Sequence, residues 1–175
     1  MYYHQIIRQD TANGPGIRLS LFVSGCGMHC PGCHNEKGQD FRFGWPFDDA
    51  VIKEIMDEFY AFPLYEGLSI LGGEPFEEQN VGQVTAIAER FKNAFPEKTL
   101  WIYTGHVYEE LIKRPDAARL IAIADILVDG PFVQDLKDLN LSYRGSSNQR
   151  VIDLDGTRKA GNVVLYGIDV RKPGM

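Results

Sequence analysis

At 175 residues, 44% of them apolar and 24% charged, the chain has the length for one full hydrophobic core and the composition of an ordinary globular protein. A formal charge of −6 leaves no basic excess for gripping nucleic acid. The N-terminal residues Met1 to Gln5 lack the basic stretch and apolar run of a secretory signal, and no apolar segment reaches membrane-spanning length. Three cysteines, an odd number packed into one short stretch, do not make a disulfide framework, so a reducing cytoplasm is the expected setting.

In chain order, Asn13-Gly-Pro-Gly16 reads as a turn, its proline fixing φ between two glycines. Ile17 to Val23 is expected to form the first strand, with Arg18 a solvated residue alternating with the apolar positions. All three cysteines follow in Cys26-Gly-Met-His-Cys30-Pro-Gly-Cys33, at the end of that strand. Glu36 to Phe47 is a glycine- and aromatic-rich link. Asp48 is placed as the N-cap of a helix to about Phe62, because Val51, Ile52, Ile55, Phe59 and Phe62 fall near helical spacing.

A short apolar strand from Leu68 then runs into Gly72-Gly-Glu-Pro75, and Glu77 to Phe95 has helical periodicity through Val81, Val84, Ile87, Ala88 and Phe91. Thr99 to Thr104 is a third strand. Val107 to Arg114 and Asp116 to Ala124 are two helices divided by Pro115, and Asp125 to Asp129 is a fourth strand ending at Gly130. Beyond the polar loop Tyr143 to Arg150, Val151–Leu154 and Val163–Tyr166 are expected to pair as a final β-hairpin, with Arg171 to Met175 loose.

Strands alternating with helices predict an α/β fold with a mostly parallel sheet in a single domain. Ligands of such sheets sit outside the carboxyl ends of the strands. The cysteine loop, Gly72–Pro75, Tyr103–Gly105 and Asp129–Gly130 all fall there. Three soft thiolates within eight residues suit an iron–sulfur cluster, and with His29 or His34 as a fourth ligand they also suit a structural zinc. Two consecutive glycines at a strand end let backbone approach a ligand, although a tight strand-to-helix turn also accounts for them.

The combination of Cys26-x3-Cys30-x2-Cys33 with Gly72-Gly-Glu-Pro75 resembles the radical S-adenosylmethionine superfamily. Asn13-Gly-Pro-Gly-Ile-Arg18 followed by Ser24-Gly-Cys26 is similar to its glycyl-radical activating enzymes. Asp125 to Gly130, Phe132 to Asp138 and Arg144-Gly-Ser-Ser-Asn-Gln149 resemble the branch that activates anaerobic ribonucleoside-triphosphate reductase. The likeness covers Tyr3 to Ile152, a core of about residues 3–152, and leaves 153–175 as a C-terminal β-hairpin extension.

That resemblance implies a partial (βα) barrel and a 4Fe-4S cluster on Cys26, Cys30 and Cys33. It further implies S-adenosylmethionine beside Gly32, Cys33, His34, Gly72, Gly73, Glu74 and Tyr103. No side chain is expected to act as a catalyst in its own right, because the cofactor supplies the radical. Where many superfamily members have an aromatic before the third cysteine, this chain has Gly32. The implied partners are the glycine-bearing C-terminal segment of the reductase, seated with the help of Arg144 and Asn148, and an electron donor such as reduced flavodoxin. A small radical enzyme acting on a free metabolite, of the deazaguanine-synthase kind, shares the cysteines and the Gly-Gly turn but is not expected to carry the Arg144–Gln149 loop. A Gly73→Val chain is expected to keep a normal cluster while losing S-adenosylmethionine.

Overall fold

The computed structural model describes residues 1–167. Eight strands form one sheet: β1 (Tyr2–Asp10), β2 (Arg18–Ser24), β3 (Trp45–Pro46), β4 (Gly67–Gly72), β5 (Thr99–Tyr103), β6 (Ile126–Asp129), β7 (Arg150–Asp153) and β8 (Val164–Leu165). Their order across the sheet is β3-β1-β2-β4-β5-β6-β7-β8. The centre, β2-β4-β5-β6, is parallel as expected, and both flanks are antiparallel, so the whole sheet is mixed.

The crossovers are helical: α1 (Asp49–Ala61), α2 (Glu78–Ala94), and the pair α3 (Tyr108–Leu111) and α4 (Ala118–Ile123). Asp48 caps α1 as read from the sequence, its carboxylate accepting from the amides of Ala50 and Val51. The helix expected over Val107 to Arg114 is a single turn. One residue in two along the central strands (Leu19, Leu21, Val23, Leu68, Ile70, Leu100, Ile102, Leu127) faces these helices and shares one core with Ile55, Phe59, Val84, Ile87 and Phe91. The opposite face carries Trp101, Ile126, Val128 and Val151, packed against Tyr143 and Tyr166. Burial on both faces is why the strands read as nearly continuous apolar runs. Among the described residues no helix is long and apolar enough to cross a membrane.

Three expectations are corrected. First, β1 precedes the strand taken as the first one. Its pairing with β2 shifts register between Tyr3 and Gln5 and again between Ile7 and Asp10, and Gln9 has φ of 53°. These bulges erase the period-two alternation by which a strand is recognised.

Second, the link between β7 and β8 is a helix, α5 (Leu154–Ala160), and not a hairpin turn, although the two strands do pair antiparallel. Asp153 caps α5 through the Gly156 amide, and Gly161 closes it in the left-handed region. Asp and Gly mark helix ends as readily as turns, so Asp153 and Gly161 suit a hairpin connection and a short capped helix equally well. The expectation for Arg171 to Met175 lies outside the described residues.

Third, Arg18 is fully buried instead of solvated. Its Nε donates to Ser69 Oγ at 2.7 Å and Nη1 to Thr99 Oγ1 at 2.8 Å, while Nη2 reaches the carbonyls of Leu68 and Thr99, each at 3.0 Å. The guanidinium lies 5.4 Å from the Trp101 ring centroid, and burial lowers its pKa to about 10, which leaves it charged at neutral pH. Ser69 also donates to Asn13 O, so one cation joins β2, β4, β5 and the Asn13–Gly16 turn. Arg18→Ala is expected to cost about 3 kcal/mol in a urea titration, because it opens a cavity and strands buried acceptors.

Candidate functional site

The cysteine loop is held in place by backbone pairing before any side chain contributes. Beyond β2, the Gly25 amide donates to Gly38 O at 2.8 Å and the Cys26 amide to Gln39 O at 3.1 Å. On the other side, the Gly73 amide donates to Val23 O at 2.7 Å and the Glu74 amide to Gly25 O at 2.8 Å. Gly72 has φ of 110°, open to glycine. A Cβ on Gly73 would stand 2.5 Å from Gly25 O, so the two turns touch only because that position has no side chain.

Polar side chains lock this junction. Asn80, on the first turn of α2, donates from Nδ2 to Ser24 O and Glu74 O, each at 3.0 Å. Glu77 Oε1 accepts from the Gly27 amide at 2.6 Å. The Glu74 carboxylate is almost wholly buried and accepts from the Phe76 amide, Thr104 Oγ1 and the Gly105 amide at 2.8–2.9 Å. Burial raises the Glu74 pKa, and these donors oppose that shift. Glu74 thereby ties the end of β4 to the end of β5.

Between these strand ends lies a cavity of about 730 Å³, counting the part open to solvent. Cys26, Cys30 and Cys33 line it, with His34, Gly72, Gly73, Glu74 and Tyr103, so seven of the residues chosen from the sequence besides Cys33 meet in one place. Gly32 lies outside the lining, where a Cβ would meet Gln134 Oε1. His29 is turned to Gln39, its Nδ1 being 2.9 Å from Oε1.

A second cavity of about 760 Å³ on the same measure shares His34, Leu71, Tyr103, Val128, Phe132 and Gln149 with the first. It extends along the inner face of the sheet to Asn13, Tyr143 and Arg144. Asn148 lines neither cavity; its carboxamide donates to Pro131 O at 2.8 Å and so shapes the loop. Gln149 does the same from within, accepting from the amides of Gly145 and Ser146 and donating to Gly130 O.

The three thiols are free and partly exposed. Burial pushes Cys26 up to about 11, so it is a neutral thiol at pH 7 until a metal displaces its proton. Among the described residues no three His, Cys, Asp or Glu side chains converge on a point suited to one ion. The thiols instead border a wide space, and three soft donors with a glycine-floored recess beside them suit a multi-iron cluster with an adjoining small molecule.

Glu77, Asn80, Thr104 and Gln39 were missed in the sequence. A signal existed for Asn80, since 80, 84, 87 and 91 share one helix face and a polar residue there stands among Val84, Ile87 and Phe91. The others meet groups that folding brings near, Glu77 the Gly27 amide, Gln39 the Cys26 amide and Thr104 the Glu74 carboxylate, and no spacing announces them.

The fold and the site together define a class: an α/β protein with a cysteine-lined cavity at the carboxyl ends of its parallel strands. The family model described as a 4Fe-4S single cluster domain matches residues 12–152. The anaerobic ribonucleoside-triphosphate reductase-activating protein of Escherichia coli (strain K12) is 41% identical over 154 residues, covering 86% of this chain and 97% of that protein. The Haemophilus influenzae protein of the same name is 37% identical over 150 residues, covering 85% and 96%. Its counterpart from Enterobacteria phage T4 is 33% identical over 151 residues, covering 86% and 93%. The chain belongs to the anaerobic ribonucleoside-triphosphate reductase-activating proteins, within the 4Fe-4S single cluster domain family. Between the two metals left open by the cysteines, this selects iron–sulfur over zinc.

The contact between Gly73 and Gly25 revises the expectation for Gly73→Val. A branched side chain there drives into the backbone that carries Cys26. Gly73→Val is therefore expected to lower iron content per chain and melting temperature together, as measured by iron assay and calorimetry, instead of sparing the cluster.

Proposed function

We propose that this protein activates an anaerobic ribonucleoside-triphosphate reductase by creating a glycyl radical on it. The observation that carries this reading is the meeting of Cys26, Cys30, Cys33 and the Gly72–Glu74 turn in one cavity at the strand ends. The packing of α1, α2 and α4 on one sheet face, with Tyr143 and Tyr166 from non-helical segments on the other among the described residues, supports a partial (βα) barrel as the frame.

Cys26, Cys30 and Cys33 would hold the 4Fe-4S cluster, and the backbone of Gly72–Glu74 would receive the methionine end of S-adenosylmethionine. When bound, the reduced cluster would supply the single electron for reductive cleavage of S-adenosylmethionine, which would make the cofactor the hydrogen-abstracting agent for a glycine Cα. The chain's own residues provide position and shelter. Glu74 and Asn80 keep the Gly-Gly turn against the cysteine loop, so cofactor and cluster meet at a fixed separation. Leu71, Val128 and Phe132 wall the cavity with apolar surface, which keeps water from a reactive carbon radical.

The second cavity supplies a path for an extended partner segment, with Arg144 on its wall and Asn148 holding the loop behind it. A glycine has no side chain to grip, so recognition falls to backbone and neighbouring groups. A one-electron donor such as reduced flavodoxin completes the system.

Each Cys→Ala change is expected to lose the intact four-iron cluster and all cleavage of S-adenosylmethionine, followed by iron assay and chromatography of 5′-deoxyadenosine. A single-cysteine variant that keeps both would sink the assignment. Wild-type protein with reductant, S-adenosylmethionine and the cognate reductase is expected to give the glycyl-radical signal in electron paramagnetic resonance, and its absence would refute the activation. Arg144→Ala is expected to lower that signal while cluster content and S-adenosylmethionine affinity hold; an unchanged signal would remove Arg144 from docking.

A further inference from the structure

Asn35, two residues beyond the last cysteine, has two features that the proposed reaction leaves unused. Its backbone amide donates to Cys33 Sγ at 3.4 Å. Its side-chain nitrogen is buried and, among the described residues, has no acceptor. A buried donor left unmade costs about 1–3 kcal/mol, so it needs an explanation. The side chain is also tightly seated. A Cβ on Gly38 would meet Nδ2 at 2.3 Å, Cγ at 2.7 Å and Oδ1 at 2.8 Å, so the carboxamide lies flat on a glycine that leaves room for it. Gly38 is itself fixed, donating to Asn35 O and accepting from the Gly25 amide.

The residue lines the cysteine cavity together with Cys26, Cys30 and Cys33. Asn35 and Cys33 also line a neighbouring cavity with His4 and Phe43. One residue thus has a main-chain donor on a cysteine sulfur and a second, unsatisfied donor on its side chain.

We propose that Asn35 is a positioning residue whose carboxamide donates a hydrogen bond to an anionic sulfur of the cluster, beside the bond its backbone makes to Cys33. This rests on the cluster assignment above. Hydrogen bonds to cluster sulfur favour the reduced state, which carries one more negative charge, and so raise the reduction potential. Asn35 would set how readily the cluster accepts an electron, without touching the reacting carbon.

The test uses the reconstituted full-length protein and needs no turnover. Asn35→Leu keeps much of the shape and removes the donor, and Asn35→Asp replaces it with a negative charge. Redox titration followed by electron paramagnetic resonance is expected to give midpoint potentials in the order wild type, then Asn35→Leu, then Asn35→Asp as most negative. S-adenosylmethionine affinity of Asn35→Leu should stay within about twofold of wild type. Equal potentials for wild type and Asn35→Leu would overturn the proposal. So would an unchanged potential with affinity reduced about tenfold or more, since the carboxamide would then serve S-adenosylmethionine.

If Asn35→Leu takes up no cluster, wild-type protein labelled with 15N only in its asparagine side chains decides. A 15N hyperfine coupling to the reduced cluster in pulsed resonance supports the bond, and no coupling refutes it. Wild-type protein that assembles no four-iron cluster would instead overturn the functional reading, and this inference with it.

Discussion

Gly25 accepts from the Glu74 amide while its own amide donates to Gly38 O, so one residue of backbone is gripped from both sides. That grip decides where the cysteines go. A loop of eight residues with two glycines and a proline has little local preference for one shape. Its first cysteine is held by a main-chain bond to Gln39, and Glu77 fixes the next amide. The contact demands that Gly73 lack a side chain and that Gly72 take a positive φ. Cysteine loop and Gly-Gly turn are therefore one structural unit, although about forty residues of chain separate them.

Buried polar groups hold the frame at both ends of the parallel strands. At the amino ends, Arg18 gathers acceptors from β4 and β5 and lies near Trp101. At the carboxyl ends, Glu74 collects donors from the α2 approach and the end of β5. Each is satisfied by several hydrogen bonds, the condition for burying a polar group of this kind. On the far side, Asp129 is buried against Arg150, which also pairs with Glu109 and holds that carboxylate down to about 2. Arg150 begins β7, so this network anchors the strand that follows the Arg144–Gln149 loop.

The division of labour at the site follows from this arrangement. Cysteine sulfurs and glycine backbone line the cavity, whereas most charged side chains near it are committed to main-chain groups. Radical chemistry asks little acid–base work of a protein and much positional accuracy, and the residues are spent accordingly.

The elements of the chain were legible wherever packing follows a simple period: α1, α2 and the central strands β2, β4, β5 and β6 lie close to where the apolar spacing put them. The cysteine spacing and the Gly72–Pro75 turn also identified the chemistry, because thiolates and paired glycines are local requirements of a cluster and a close backbone approach. Bulged β1 and capped α5 escaped because bulges remove periodicity and because Asp and Gly serve turns and helix ends alike. Arg18 was read as solvated because alternation marks which face a residue is on, and says nothing of what covers that face. Only the assembled sheet brings Ser69 and Thr99 to its guanidinium, Asn80 and Glu77 to backbone far along the chain, or Thr104 to the Glu74 carboxylate. Those partners are long-range and carry no spacing rule, so they come into being with the tertiary structure, while the thiol and glycine positions that do the chemistry stand plainly in the primary one.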